Sequence, residues 1–349
     1  MEEVPGEDAQ HGAIFPRLPR HFLTGTELDR DTLLALLARA HELKAEPRSS
    51  TSLDGRIVAL LFEKPSTRTR LSYEAGVTEL GGHPLILRPG EMQLSRGESV
   101  GDTARVLSRH VQAIGVRTGP DAELDTLAAE GSIPVFNMLT EGHHPSQALA
   151  DLMTLQEAFP GRALDELKLT YVGDGNNVAR SLALVGGIAG LDVAVASPAG
   201  YELEAEAGGT RTADPAAAVA GAHAVYADVW VSMGDEDTAD ARRAALTPYR
   251  LDDALLDAAA PGAIALHCLP AHPGEEITAD VLYGERQRIW DQAENRRHAQ
   301  KALLEWLLAE DGGRIRECPS PRRSPPRRSP SAAPRPLRGP RRPPRPRRA

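Results

Sequence analysis

From residue 56 onward, short apolar runs alternate with amphipathic segments, and nothing else in the chain restricts its fold as strongly. Residues 57–62, 85–87, 113–116 and 134–138 read as strands, with helices at 68–80, 100–110 and 147–159 between or after them. The pattern then restarts. Residues 169–172, 192–196, 224–231 and 263–269 are further strand candidates, and a helix follows residue 177 through 188. Strands that are apolar throughout are buried on both faces, as in a parallel sheet covered by helices. Leucine and alanine at helical spacing predict one or two helices over 23–44, and a last amphipathic helix over 293–309. The expected architecture is α/β, with two domains, each a mostly parallel sheet covered by helices, joined by interdomain helices. The expected divisions are a flexible leader (1–20), a first domain (21–150) to which helix 293–309 returns, a second domain (151–292), and a tail (313–349). Pro160-Gly161 and the polar residues 162–168 mark the seam.

A chain of 349 residues can bury two cores. Its longest apolar stretch, 182–196, contains Asp192 and three glycines and is no membrane span. Residues 1–7 are acidic and polar, unlike a secretory signal, and two cysteines suit a reducing compartment, so a cytoplasmic protein is expected. The formal charge of −9 hides two unlike parts. Residues 313–349 hold 13 Arg and one Glu, which leaves 27 basic against 48 acidic groups on the rest. So acidic a body argues against general nucleic-acid binding. In the tail 24 of 37 residues are Arg or Pro, a composition that buries no core and is expected to be disordered or polyproline-like. A polyanion-binding arm has that composition, and so does a dispensable stretch read from GC-rich codons.

The densest chemistry follows the first strand: Phe62-Glu63-Lys64-Pro65-Ser66-Thr67-Arg68-Thr69-Arg70. Hydroxyls and guanidinium groups crowd a helix start, where free N–H groups favour an anion. A capped helix with surface arginines is the plainer alternative. Arg117 ends another strand, where parallel sheets present ligand groups. Gly142-His143-His144-Pro145-Ser146-Gln147 offers a histidine for a carbonyl oxygen and an amide for a urea-like group. Adjacent histidines also suggest a metal, yet no carboxylate stands at ligand spacing. Gly173-Asp174-Gly175-Asn176-Asn177 has the look of a dinucleotide loop, but Val178 occupies the third glycine's place. In Asp228-Val229-Trp230-Val231-Ser232-Met233-Gly234 the acid suits an amine and the polar turn a carboxylate or amine. His267-Cys268-Leu269-Pro270 allows either a thiol nucleophile or a small polar contact. Arg296 sits near the start of the last helix.

Together these segments resemble the aspartate/ornithine carbamoyltransferase superfamily, and within it the ornithine enzymes, over residues 21–308. The resemblance implies transfer of a carbamoyl group from carbamoyl phosphate to the δ-amine of L-ornithine, giving citrulline and phosphate in arginine metabolism. It implies that the first domain binds carbamoyl phosphate and the second ornithine, with no cofactor and no metal. Ser66, Thr67, Arg68, Thr69, Arg70, Arg117, His144, Gln147, Cys268, Leu269 and Arg296 are the implied carbamoyl-phosphate ligands. Gln93 joins them from a neighbouring subunit of a homotrimer. Asn177, Asp228, Ser232 and Met233 are the implied ornithine ligands, and Arg68, His144, Cys268 and Arg296 the catalytic groups. Ser146 departs from the cysteine common at that place, and the Arg/Pro tail is foreign to the family. Another acceptor (putrescine, an acylated ornithine or aspartate) is the alternative inside the class. Outside it stand a non-catalytic binding module using its Arg-rich arm and a nicotinamide dehydrogenase.

Overall fold

The computed structural model describes residues 19–232 and 236–309. The leader up to residue 18, Met233 and the Arg/Pro tail lie outside them. In the first half β1 (Ile57–Phe62), β2 (His83–Leu87), β3 (Ala113–Arg117) and β4 (Val135–Leu139) form a parallel sheet in the order β2-β1-β3-β4. Helices α1 (Arg30–Ala45), α2 (Thr67–Glu79), α3 (Val100–Leu107), α4 (Asp121–Glu130) and α5 (Pro145–Ala158) accompany it. The helix expected over 23–44 begins only at Arg30, because Glu27 accepts the N–H groups of Leu23, Thr24 and Gly25 and ties them into a turn. Asp29 then caps α1 by accepting from the Thr32 N–H at 2.8 Å.

The second half repeats the plan. Strands β5 (Lys168–Val172), β6 (Asp192–Ala196), β7 (Thr210–Thr212), β8 (Ala224–Ala227) and β9 (Ile264–His267) form a parallel sheet in the order β7-β6-β5-β8-β9. Between and after them run α6 (Asn177–Ala189), α7 (Pro215–Val219), α8 (Ala239–Leu246), α9 (Asp253–Asp257), α10 (Ala279–Tyr283) and α11 (Ile289–Leu308). Two strands are shorter than their apolar runs. β8 stops at Ala227, and Val229–Val231 continues as a loop that buries Trp230 under the Arg250 guanidinium. β9 stops at His267, where Leu269 takes a left-handed φ of 63°. α11 packs against α1, α2 and α5, and α5 against α6, so helices from both halves share one core. Among the described residues no helix is long and apolar enough to cross a membrane.

Strand order decides where ligands fit. The chain leaves β1 toward β2 on one side and later places β3 on the other, with Phe62 paired to Arg117. The second sheet does the same around β5, with Val172 paired to Ala227 of β8. Loops that diverge from adjacent strand ends open a crevice at such a point. Here both crevices are filled by the segments that the sequence singles out.

Candidate active site

A single cleft of about 1020 Å³ is lined from both sheets. Ser66, Thr67, Arg68, Thr69, Arg117, His144 and Arg296 face it from one side, and Asn177, Asp228, Ser232, Cys268 and Leu269 from the other. Three expected ligands lie elsewhere. Arg70 lines an adjoining cavity of about 560 Å³ together with Ser66 and Thr67, and it pairs with Glu74 at 3.1 Å. Gln147 is buried behind Arg296, and Gln93 lies exposed in a 3-10 turn outside both cavities. Met233 falls outside the described residues.

The phosphate-type loop is built as its residues dictate. Ser66 is extended (φ −158°, ψ 116°) and caps α2, its oxygen accepting from the Thr69 N–H at 3.3 Å. Its hydroxyl proton stays available for a ligand. Thr69 is buried and accepts from Arg296 Nη2 at 2.6 Å, while Arg296 Nη1 donates to Gln147 Oε1 at 2.9 Å. Two of the guanidinium groups are deeply buried. Burial first, then the neighbouring Arg296 charge, pushes Arg117 down to about 10, so it remains charged at neutral pH. Burial likewise lowers Arg296. The Nε atoms of both arginines and Nδ1 of His144 find no partner among the described residues. Buried donors left without acceptors are costly unless a ligand supplies them.

His144 precedes α5, with Pro145 in its first turn, and its backbone N–H donates to Ser181 Oγ at 2.7 Å. Burial and the Arg296 and Arg117 charges hold its ring well below the ordinary histidine range. At neutral pH it is an uncharged imidazole that can donate one hydrogen bond to an oxygen.

Asp228 anchors the other side. Its Oδ1 accepts from Cys268 Sγ at 2.9 Å and its Oδ2 from Asn176 Nδ2 at 3.0 Å. Asn176 is itself the cap of α6, accepting from the Val178 and Ala179 N–H groups. Its neighbour Asn177 donates to the Thr140 carbonyl at 2.7 Å, bridging toward the His144 loop. Gly175 is required in this turn, since a Cβ there would lie 2.3 Å from the Leu203 nitrogen. Burial, the Asp228 charge and its hydrogen bond raise the Cys268 thiol well above its ordinary range. Cys268 thus donates as a thiol to Asp228, which favours the small polar contact over the nucleophile among the two readings its sequence allows. His267 does not serve it either. Its Nε2 lies 3.0 Å from buried Glu276, and its Nδ1 accepts the Leu269 N–H at 2.9 Å. Asp228, His267 and Cys268 bring metal-ligand atoms within 4.8 Å of one another. With both His267 ring nitrogens engaged, that group lacks a free lone pair on the imidazole.

Sequence reasoning missed Asn176 as the partner of Asp228, Glu276 behind His267, and Asp151 and Gln292 behind Gln147. Asp151 Oδ1 accepts from Gln147 Nε2 at 2.8 Å and from Gln292 Nε2 at 2.7 Å. The readable signal was spacing: Gln147/Asp151 and Gln292/Arg296 are each four apart, hence on one helix face.

A cationic pocket at one switch point, facing an acid and a thiol at another, has the chemistry to seat a phosphate-type anion against an amine. Comparison with known proteins names the family. Residues 20–157 match the model described as aspartate/ornithine carbamoyltransferase, carbamoyl-P binding domain. Residues 165–307 match its Asp/Orn binding domain. The chain belongs to the aspartate/ornithine carbamoyltransferase family. It is 51% identical over 308 residues to the ornithine carbamoyltransferase of Parafrankia sp., covering 83% of this chain and 96% of that one. Identity to the enzyme so named from Acidothermus cellulolyticus is 50% over 309 residues, covering 84% and 98%. The solved structure of ornithine carbamoyltransferase from Pyrococcus furiosus matches with a TM-score of 0.77 at 42% identity, covering 83% of this chain and 97% of that one. That from Thermus thermophilus matches equally well, covering 84% and 100%.

Proposed function

We infer that this protein transfers the carbamoyl group of carbamoyl phosphate to the δ-amine of L-ornithine, forming citrulline and phosphate. The observation that carries the reading is the cleft itself, where buried Arg117 and Arg296, each with an Nε that meets no acceptor among the described residues, face an acid and a protonated thiol. The attacking ammonium, with a solution pKa of about 10.4 if it resembles lysine, first loses a proton. Its lone pair then forms a C–N bond to the carbamoyl carbon while the C–O bond to phosphate breaks, and the proton leaves on a phosphate oxygen. Ser66, Thr67 and Arg117 neutralise the departing phosphate, and Arg70, on the same helix turn, adds its charge from the adjoining cavity. Arg68, Thr69, neutral His144 and Arg296 donate to the carbonyl oxygen as it gains charge. Preorganised donors of this kind are worth about 3–4 kcal/mol each in the transition state.

Asn177, Asp228, Ser232 and Met233 hold ornithine, and Cys268 and Leu269 lie between the two substrates. Asp228 positions the amine and the thiol, not forming a lasting ion pair with the nucleophile, since a permanent pair would hold it protonated. Phosphate is already a good leaving group, so the chemistry calls for no cofactor or metal. The domain at 21–150 with helix 293–309 takes carbamoyl phosphate and that at 151–292 ornithine. Gln93, remote from its own cleft, reaches a neighbour's in a homotrimer. A cytoplasmic role in arginine biosynthesis completes the reading. Citrulline formation with ornithine, putrescine, acetylornithine and aspartate as competing acceptors tests it: selective use of ornithine is expected, and preference for another amine overturns the acceptor.

A further inference from the structure

Asp151 is a buried carboxylate that touches neither cleft wall yet joins residues behind both. It projects from α5, and its Oδ1 accepts from three directions. Gln147 of the same helix donates at 2.8 Å, Gln292 of α11 at 2.7 Å, and the Tyr226 hydroxyl of β8 at 3.5 Å. Each glutamine uses its other end on the site. Gln147 Oε1 accepts from Arg296 Nη1 at 2.9 Å, and Gln292 Oε1 accepts from the backbone N–H of His267 at 3.0 Å. The Arg296 guanidinium in turn holds Thr69 of the anion loop, and His267 immediately precedes Cys268.

An amide's oxygen and nitrogen exchange places when the group flips, so its orientation is set by its partners. If Gln147 were flipped, its NH₂ would face the Arg296 guanidinium, donor against donor. A flipped Gln292 would likewise confront the His267 N–H. Both side chains are buried, so each NH₂ must find an acceptor inside the protein, and one carboxylate oxygen serves both. With its nitrogen held by Asp151, Gln147 keeps Oε1 turned to the Arg296 guanidinium, which lines the cleft.

We propose that Asp151 is a positioning residue for carbamoyl transfer: by accepting from Gln147 and Gln292 together, it fixes the cleft-lining Arg296 guanidinium, through Gln147, and the Cys268 end of β9 in one register. The proposal rests on the functional reading above. It assigns Asp151 to the carbamoyl group and not to the phosphate, which the Ser66–Arg70 loop and Arg117 hold without it.

Wild type, Asp151→Ala, Asp151→Asn and Gln292→Met are compared in steady-state kinetics, with inorganic phosphate as inhibitor competing with carbamoyl phosphate. Asp151→Ala removes the acceptor, and a misplacement of the reacting groups lowers kcat/KM for carbamoyl phosphate by roughly 100-fold. Its inhibition constant for phosphate stays within roughly threefold of wild type, as additivity of independent sites requires. Asp151→Asn keeps an acceptor oxygen in place and retains most of the activity. Equal losses toward carbamoyl phosphate and phosphate overturn the proposal, as does an alanine variant with unchanged kcat/KM. Should the alanine variant not fold, Gln292→Met cuts one arm alone; a lowered kcat with unchanged phosphate inhibition supports the proposal, and an unchanged kcat overturns it. Absence of turnover in the wild-type protein fails the functional reading instead, and is seen before any variant is measured.

Discussion

Asp228→Asn perturbs the amine side of the cleft and leaves the anion loop alone. In the wild-type protein the carboxylate accepts from Cys268 Sγ at 2.9 Å and Asn176 Nδ2 at 3.0 Å. An asparagine has one accepting end and one donating end. Turning its NH₂ to Asn176 would set two donors against each other, so the amide gives its oxygen to Asn176 and its nitrogen to the sulfur. The thiol must then swing its proton away. One charge-assisted hydrogen bond is lost, and with it the anion opposite the incoming ammonium. A lost contact of this type costs about 1.5–3 kcal/mol, which lowers kcat/KM for ornithine by about 10–150-fold. KM for carbamoyl phosphate changes by no more than roughly twofold. The Cys268 thiol supplies an independent readout. Burial comes first among the causes that raise it, and the Asp228 charge and hydrogen bond follow. The substitution leaves the burial and the smaller Asp151 and Arg296 effects in place and removes the Asp228 charge, so the thiol pKa falls. Ultraviolet thiolate absorbance against pH, taken as the difference from Cys268→Ser in each background, measures that. An unchanged thiol titration, or equal losses on both substrates, refutes the assignment.

Arg68→Gln removes a charged donor from the anion side, and kcat falls roughly 10²–10³-fold. In the same assay Arg105→Gln, at an exposed site on α3 paired with Asp102 and Glu130, leaves kcat unchanged. Two buried carboxylates give opposite pH dependence of stability. Burial raises Asp151 to about 7 from its ordinary 3.8, so stability drops as pH climbs from about 4 to about 7 and is level above, a change of up to about 4 kcal/mol. Melting temperature against pH shows a flatter profile across that window in Asp151→Asn. Glu276 is also pushed up by burial, but hydrogen bonds from the His267 ring and the His272 N–H more than offset it and leave it lowered. Its contribution is therefore present above its ordinary 4.5 and lost as pH falls through the depressed value. Glu276→Gln removes that acid-side loss, which the same melting series detects.

What the sequence made legible were the segments where chemistry is contiguous and follows a strand end. Ser66 to Arg70 sit on one turn, and Asp228 and Cys268 each follow a short apolar run, so local pattern and site coincide. The second rank of residues was not legible for a physical reason. The contacts of Asp151 and Gln292 that tie the two halves together join residues distant in sequence, and a buried polar group on a helix looks the same as a surface one until such neighbours are known. Strand limits failed similarly: after Ala227 a loop buries Trp230 and leaves Val229 and Val231 half-buried, and periodicity does not separate that from a longer strand. Cys268 shows the limit of residue type, because a thiol beside a histidine suggests a nucleophile until Glu276 is seen to occupy the ring.

The distribution of charge explains why the anion side can be rigid before any ligand arrives. Arg117 and Arg296 are buried close enough that each disfavours the charged form of His144, and Arg296 does the same to Arg117. Behind them, Asp151 is joined to Arg296 by hydrogen bonds through Gln147. Folding thus holds like charges together with donors unmet, at a free-energy cost that a phosphate-bearing ligand recovers on binding. Any ligand that binds the native state alone also stabilises it by mass action. The cost is the same feature that keeps His144 uncharged and leaves two arginine Nε donors and His144 Nδ1 open among the described residues, so the electrostatic strain of the pocket and its capacity to polarise a carbonyl have one origin.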